Sequence, residues 1–343
     1  MLGADPARPT VAVPVGVASI TLAGQASGQT ELQREEPGGS SPAVLSVPAD
    51  RVFAAAQVQT VENETLSGLT AASCAEPANE QWLVGGTTAL GASTTLALGN
   101  PAGVPATVRL TLFDENGQVG SEQTSSVLVP AGSERIVSIN GYAPDRERLA
   151  VRVDSTGAAV TAALEISHVS GLQPFAVDTA TRQLAAEHRL VFPGVANTRT
   201  EVHGPGDAGE ADEYPVLVRL LSATGEQGTA RVSALLADGG AQDLGTVDLV
   251  SSAVGELSVK AWPEGATAVV VEADVPIVGG VLGSVASDEG HDYAWFAPAP
   301  ELAAGDEVAA GVVPGGELVL ANPGSSPAEV RIADIGSAAA PEG

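Results

Sequence analysis

The sequence has 343 residues, a formal net charge of −27 and 44% hydrophobic residues, with 40 glycines, 23 prolines and only 3% aromatic residues. This length allows two or three domains, and so many glycines and prolines indicate short elements joined by turns instead of long helices. Phosphate backbones and anionic lipid surfaces repel such an acidic chain, so nucleic-acid binding is not expected, and membrane attachment is expected only through an anchor that this chain lacks.

The first 74 residues form a strand-rich N-terminal segment. In its opening stretch, valines recur at every second position from Val11 to Val17, which is the pattern of a strand and not of an export signal. We therefore expect residues 1–74 to contain several strands and no export signal. The strand-like runs are residues 10–22, 43–47 and 52–61.

Residues 75–182 form the first complete module. Within it, Leu96–Leu110 reads LALGNPAGVPATVRL, in which apolar and polar residues alternate on both sides of an Asn-Pro turn. A period of two is typical of strands with one buried face, and Asn100 and Pro101 suit a tight turn. Turn signals at roughly every 8–12 residues are typical of an Ig-like β-sandwich. The strands predicted for this module are residues 94–100, 106–113, 124–129, 134–139, 148–154 and 159–167.

Residues 183–297 form a second module of the same kind, because several of its stretches repeat those of the first. Trp82 and Trp295 stand at equivalent module starts, 213 residues apart (295 − 82), which corresponds to two modules of about 107 residues each. We expect both indoles to be buried in the core. The segment 179–189 between the modules is the best helix candidate and also a plausible linker.

Residues 298–343 begin a third module and are too few to close one. This segment contains Leu318–Ile332, LVLANPGSSPAEVRI, which repeats Leu96–Leu110 at an offset of 222 residues (318 − 96). We expect strands on both sides of its Asn-Pro turn. A further hypothesis places residues 10–61 alongside residues 310–335, where they would supply missing strands. The predicted fold is all-β, with tandem Ig-like β-sandwich modules of which the last is incomplete.

Several motifs occur in a fixed order along the chain: SCAEP, WLVGG, the LxNPxxxPAxV pattern and VPAGSERIVSINGYAPDRERLAVRVDSTGAAV. From about Arg51 to Gly343 the chain resembles an uncharacterised family of actinobacterial secreted or cell-envelope proteins, a domain of unknown function. The resemblance implies β-sandwich modules, an extracellular or cell-envelope location and no known activity. It also implies an N-terminal membrane anchor and an earlier cysteine able to pair with Cys74. We expect neither in this sequence, since Ala23 or a neighbour stands where that cysteine is expected, and this fits a trimmed or misstarted chain.

Few residues suggest a binding site. Trp262 precedes a Pro turn and is the best candidate for an exposed ring that stacks on a sugar. Asp207 and Asp212 belong to an acidic loop that could hold calcium, but the loop lacks the Asp-x-Asp-x-Asp-Gly pattern, and a solvated loop is the simpler interpretation. The possible ligand contacts are therefore Trp262, Asp207 and Asp212. No catalytic residue, metal ligand or cofactor is assigned.

The titratable residues do not form a recognisable catalytic motif. The four histidines show no metal-ligand spacing. His291 and Asp292 could act as a base and its orienting group, but no nucleophile motif such as GxSxG accompanies them, so a polar loop is the simpler interpretation. Cys74 has no evident base to activate its thiol.

The expected function is a non-catalytic scaffold or binding protein of the cell envelope, with envelope polysaccharides or envelope proteins as partners. The first alternative is a carbohydrate-binding accessory protein in envelope glycan assembly, and the second is a hydrolase. A concave face holding Trp262 would favour the first alternative. A pocket joining His291, Asp292 and a serine would favour the second.

Overall fold

The protein was analysed as a computed structural model, which describes residues 54–64, 66–120, 126–170, 173–197, 214–287, 290–312 and 316–332, with short strands at 13–14, 19–21 and 44–46. In these ranges every regular element is a β-strand except a 3-10 turn at Ile139–Gly141. The prediction of an all-β fold is confirmed. In chain order the strands are β1 (Val13–Pro14), β2 (Ser19–Thr21), β3 (Val44–Ser46), β4 (Ala56–Glu62), β5 (Ser67–Ser73), β6 (Glu80–Val84), β7 (Ala92–Asn100), β8 (Ala106–Asp114), β9 (Gly117–Gln118), β10 (Val127–Val129), β11 (Ser133–Ser138), β12 (Ala150–Thr156), β13 (Thr161–Ser170), β14 (Gln173–Ala180), β15 (Glu187–Pro193), β16 (Val216–Ser222), β17 (Gly228–Leu236), β18 (Ala241–Leu249), β19 (Gly255–Val259), β20 (Ala266–Ser287) and β21 (Gly290–Phe296).

Two five-stranded antiparallel sheets make up what we call the first unit. One has the order β1-β11-β7-β13-β14, and the other has the order β10-β8-β12-β6 with β9 beside β8. The core lies between the two sheets, because Leu83, Leu96, Leu112 and Leu164 come from both and are fully buried in one cluster. The strands predicted for residues 94–167 therefore form close to the expected positions.

The stretch Leu96–Leu110 crosses from one sheet to the other. β7 pairs with β11 and β13, whereas β8 pairs with β10 and β12, so the segment between them is an arch and not a hairpin. The Asn100 amide holds this arch from within: its Nδ2 donates to the carbonyls of Val104 (2.8 Å) and Val129 (3.1 Å), and its Oδ1 accepts the Ala102 N–H (3.0 Å). Asn100 is fully buried.

The second copy of this stretch keeps the turn but not the strands. Asn322 Nδ2 donates to the Ser326 carbonyl (2.9 Å), and Asn322 Oδ1 accepts the Gly324 N–H (3.0 Å), as in the first copy. No strand forms in the described residues 298–312 and 316–332, so the prediction of strands around this turn is wrong there. The physical reason is that β7 and β8 each have a strand on both sides, and the second copy has none among the described residues.

Replacing Asn100 with alanine tests how much the buried amide contributes. We expect Asn100→Ala to lower the free energy of unfolding by about 1–3 kcal/mol, because the carbonyl and N–H groups it satisfies stay buried. Asn322→Ala is the matched control, since the same local bonds lie on the surface there, and we expect a change within about 0.5 kcal/mol. Urea denaturation of both variants measures the difference, and equal losses would contradict this explanation.

The segment 179–189 is not a helix, contrary to the prediction. β14 runs to Ala180 and β15 begins at Glu187. Between them Gln183 forms a bridge with Trp82, in which each backbone N–H donates to the carbonyl of the other at 2.8 Å. These backbone groups are therefore bonded across the chain and are not available for a helical ladder.

A seven-stranded antiparallel sheet forms what we call the second unit. Its path is β18-β17-β20-β16-β19, and β15 and β21 also pair with β20. The 22-residue strand β20 is central. Its first part lies between β17 and β15, its residues 277–282 pair with β16, and its residues 281–287 pair with β21. The sheet curls almost into a barrel around its own core, which includes Leu190, Phe192, Val218, Val232 and Val271.

Part of the N-terminal segment lies on the first unit. β4 and β5 pair antiparallel, and β5 packs against β14. For the hypothesis that residues 10–61 run alongside residues 310–335, the described residues show a close approach at Gly311. A Cβ atom added there would lie 2.8 Å from the carbonyl carbon of Ala55. In the described part of the chain, no helix is long and apolar enough to span a membrane.

Candidate functional site

The two units meet through a buried apolar cluster. It joins Trp82 and Val84 of β6 and Phe113 of β8 to Leu221 of β16 and Val278 of β20, all at most 9% exposed. The rings of Trp82 and Phe113 stack at 5.9 Å between centroids. Burial of such large apolar side chains on both sides favours a fixed arrangement of the units over a flexible linkage.

Beside this cluster, Arg219 carries a buried charge from the second unit into the first. It lies on the outward face of β16 and is 5% exposed. Its Nε donates to Glu256 Oε2 at 2.6 Å, and its terminal nitrogens donate to two carbonyls of the first unit, Gly86 O and Glu147 O, the latter at 2.9 Å. A charge so deeply buried is tolerated because every side of the guanidinium meets an acceptor.

The same guanidinium lies over the ring of Trp295, at 4.8 Å from Cζ to the centroid. Trp295 belongs to β21 of the second unit but packs into the core of the first. Its backbone N–H donates to the carboxylate of Asp178 on β14. The cation, the indole and the buried acid therefore form one continuous contact between the units.

Another carboxylate, that of Asp292 on β21, also links strands by accepting backbone N–H groups. Asp292 accepts the Leu69 N–H of β5 at 2.8 Å and the Tyr293 N–H at 2.9 Å. β21 and β14 share no backbone ladder, so these aspartates take the place of carbonyls in tying three strands together. We call Asp178, Arg219, Glu256, Asp292 and Trp295 the interface network.

Burial dominates the electrostatics of the interface network. It raises the pKa of Asp178 to about 7, against the opposing effect of the N–H groups of Trp295 and Thr179, and the nearby Asp292 charge adds to the increase. Burial also raises the pKa of Asp292. For Arg219, burial lowers the pKa, while Glu256 opposes that shift. The network thus contains an acid whose pKa lies near neutral pH and a buried cation, both in contact with Trp295.

Comparison with known proteins identifies the family. The model of a family of unknown function, DUF5719, matches residues 33–342. The chain belongs to the DUF5719 family. No curated protein matches this family member. Among solved structures it is similar to the crystal structure of Thermotoga maritima 1070, with 14% identity, 32% of this chain and 91% of that chain covered, and a TM-score of 0.25; so slight a likeness carries no argument about fold or activity.

In this DUF5719 protein the interface network holds strands together instead of presenting polar groups to a ligand. The polar groups described above bond to backbone or to one another, so binding a ligand through them would require breaking the contact between the units. Within the described residues, no group of three or more His, Cys, Asp and Glu could hold a metal ion. Burial raises the pKa of the Cys74 thiol, which disfavours the reactive thiolate.

The residues singled out from the sequence lie apart from the interface network, with two exceptions, Trp295 and Asp292. Asp292 bonds to backbone N–H groups there. Trp295 lies in the network and Trp82 in the adjoining apolar cluster, so both indoles are buried as predicted. Trp262 is half-buried against the core of the second unit. Asp207 and Asp212 lie outside the described residues, and so does the side chain of His291.

Sequence reasoning missed Arg219 and Asp178, although a signal for both existed. Arg219 interrupts the apolar run VLVRLL, and Asp178 follows the apolar run FAV. A charged residue within an apolar strand is either exposed at an edge or buried with partners. The sequence did not separate these two possibilities, because the partners of both residues come from distant strands.

Proposed function

We propose that this DUF5719 protein is a non-catalytic scaffold or binding protein of the cell envelope, built from tandem Ig-like β-sandwich modules. The observation that supports a scaffold best is the interface network, where Arg219 of the second unit bonds to backbone carbonyls of the first. A protein that presents surfaces at a fixed spacing needs such a rigid joint. Its partners are envelope proteins or envelope polysaccharides.

The acidic surface fits this proposal. A net charge of −27 keeps the protein soluble and limits non-specific adhesion to other anionic surfaces. The resemblance to secreted and envelope proteins supports the location outside the cytoplasm.

The test is a capture experiment with two arms. The immobilised full-length protein is exposed to solubilised envelope proteins in one arm and to an array of envelope glycans in the other, and each captured partner is then purified and titrated. We expect saturable binding of an envelope protein that Trp262→Ala leaves unchanged. Saturable glycan binding that Trp262→Ala abolishes would replace the scaffold by the carbohydrate-binding alternative. Turnover of ester, glycoside or peptide substrates that Asp292→Asn abolishes would establish the hydrolase instead.

A further inference from the structure

The second copy of the repeated stretch exposes its apolar side chains, and no described strand of the chain covers them. We call residues 318–332 the C-terminal arch. Its apolar positions correspond, at the offset of 222, to residues that are at most 3% exposed in the first unit, namely Leu96, Leu98, Val108 and Leu110. Their counterparts in the arch are much more exposed: Leu318 by 44%, Leu320 by 49%, Val330 by 53% and Ile332 by 63%. The same apolar pattern is therefore buried in the core of the first unit and exposed to solvent in the C-terminal arch.

The two copies also differ at one charged position. The first copy has Thr107 before Val108, whereas the arch has Glu329 before Val330, and Arg follows the valine in both. The side chains of Glu329 and Arg331 are 82% and 69% exposed, and their charged atoms lie 3.9 Å apart on one side of the chain, as in an extended strand. Glu-Val-Arg is therefore complementary to itself when read in the opposite direction.

We propose that the C-terminal arch is a dimerisation surface and that its occupant is the same arch of a second copy. The two copies are related by a two-fold axis through Val330, so that the strands run antiparallel and Glu329 of each faces Arg331 of the other. Residues 318–320, which precede the Asn-Pro turn of the arch, pair in the same way about Val319. Leu318 of each copy then lies opposite Leu320 of the other. Both pairings use one axis, as an isologous dimer requires.

In this dimer each half of the arch gains a neighbouring strand and its apolar side chains become buried, as is the case for β7 and β8 in the first unit. An exposed extended segment with apolar side chains is a template for pairing with another chain. Each arch contributes one strand to each of two layers, and the apolar residues of both copies face one another between the layers. The opposite charges on the outer face fix the register, because a shift by one residue would remove both charge pairs.

A charge-reversal cycle tests the proposal. In sedimentation equilibrium at physiological ionic strength, where the net negative charge is screened, we expect the wild-type chain to dimerise reversibly. Glu329→Arg places like charges opposite each other at two symmetric sites, and we expect the dissociation constant to rise about tenfold or more. Combining Glu329→Arg with Arg331→Glu restores complementarity with the order reversed, and we expect dimerisation to recover. A monomeric wild type, or a dimer that Glu329→Arg does not weaken, would overturn the proposal.

Cross-linking at the axis tests the register independently. A residue on the axis faces its own counterpart at a separation that a disulfide can bridge. In a Cys74→Ala background, we expect Val330→Cys to give a covalent dimer on mild oxidation. Val312→Cys is the matched control, since Val312 is 54% exposed and lies outside the arch. Equal cross-linking of the two variants would overturn the proposed axis.

Discussion

Arg219→Ala is expected to lower the free energy of unfolding by about 3–5 kcal/mol. The substitution removes the donor to the carbonyls of Gly86 and Glu147 and leaves the Glu256 carboxylate with its longer ion pair to Arg148, at 3.5 Å. It also removes the cation over the Trp295 ring. Chemical denaturation monitored by tryptophan fluorescence measures the loss, because Trp82 and Trp295 both lie at the contact between the units.

Two further variants separate the geometry of the Arg219 contact from its charge. Arg219→Lys keeps the charge but cannot donate in several directions at once, so we expect a substantial part of the loss to remain. Arg231→Ala removes an exposed arginine whose pair with Asp243 is 3.9 Å long, and we expect a change within about 0.5 kcal/mol. A loss for Arg219→Ala no larger than that for Arg231→Ala would show that the buried contact does not hold the units together.

The second large effect is a pH dependence that Asp178 imposes on stability. Its pKa is raised to about 7 in the folded protein, against about 3.9 in an unfolded chain. Between these values the folded protein holds a proton that the unfolded chain has released, so stability falls as the pH rises through this window. From pH 5 to pH 8 we expect the Asp178 contribution to fall by about 2–3 kcal/mol.

The measurement compares the wild type with Asp178→Asn across this pH range. The amide oxygen can still accept the Trp295 N–H, and the side chain no longer titrates, so the difference in unfolding free energy isolates the carboxyl group. Asp243→Asn is the matched control, because it makes the same replacement at a surface residue whose side chain is 63% exposed. A difference for Asp178→Asn that does not change with pH would mean that the buried acid does not couple pH to stability.

The alternation of residues around Asn100 was enough to predict β7 and β8. The same alternation in its second copy predicted strands that the described residues do not form. Local sequence determines the turn, since Asn100 and Asn322 make equivalent bonds. It does not determine the strands, because a strand needs neighbours on its edges, and these come from remote parts of the chain.

The interface network was beyond sequence reasoning for a related reason. The partners of Arg219 come from residues 86, 147 and 256, and Asp178 meets residue 295. Which distant strands meet is set by the packing of whole units. Composition and alternation report only whether a strand has a buried face. The burial of Trp82 and Trp295 was predictable because large aromatic residues are rare in this chain and usually serve packing.

The late position of β20 has a consequence for how the protein is made. The strands β15, β16 and β17 precede β20 along the chain, yet each takes it as a hydrogen-bonded neighbour. During synthesis these strands leave the ribosome before the strand that joins them has been made. Their backbone edges stay unpaired and their apolar side chains stay exposed until residues 266–287 follow. A holdase chaperone would therefore be most useful while the second unit is being synthesised, before β20 emerges. The sheets of the first unit can close earlier, because their strands all precede β20 along the chain.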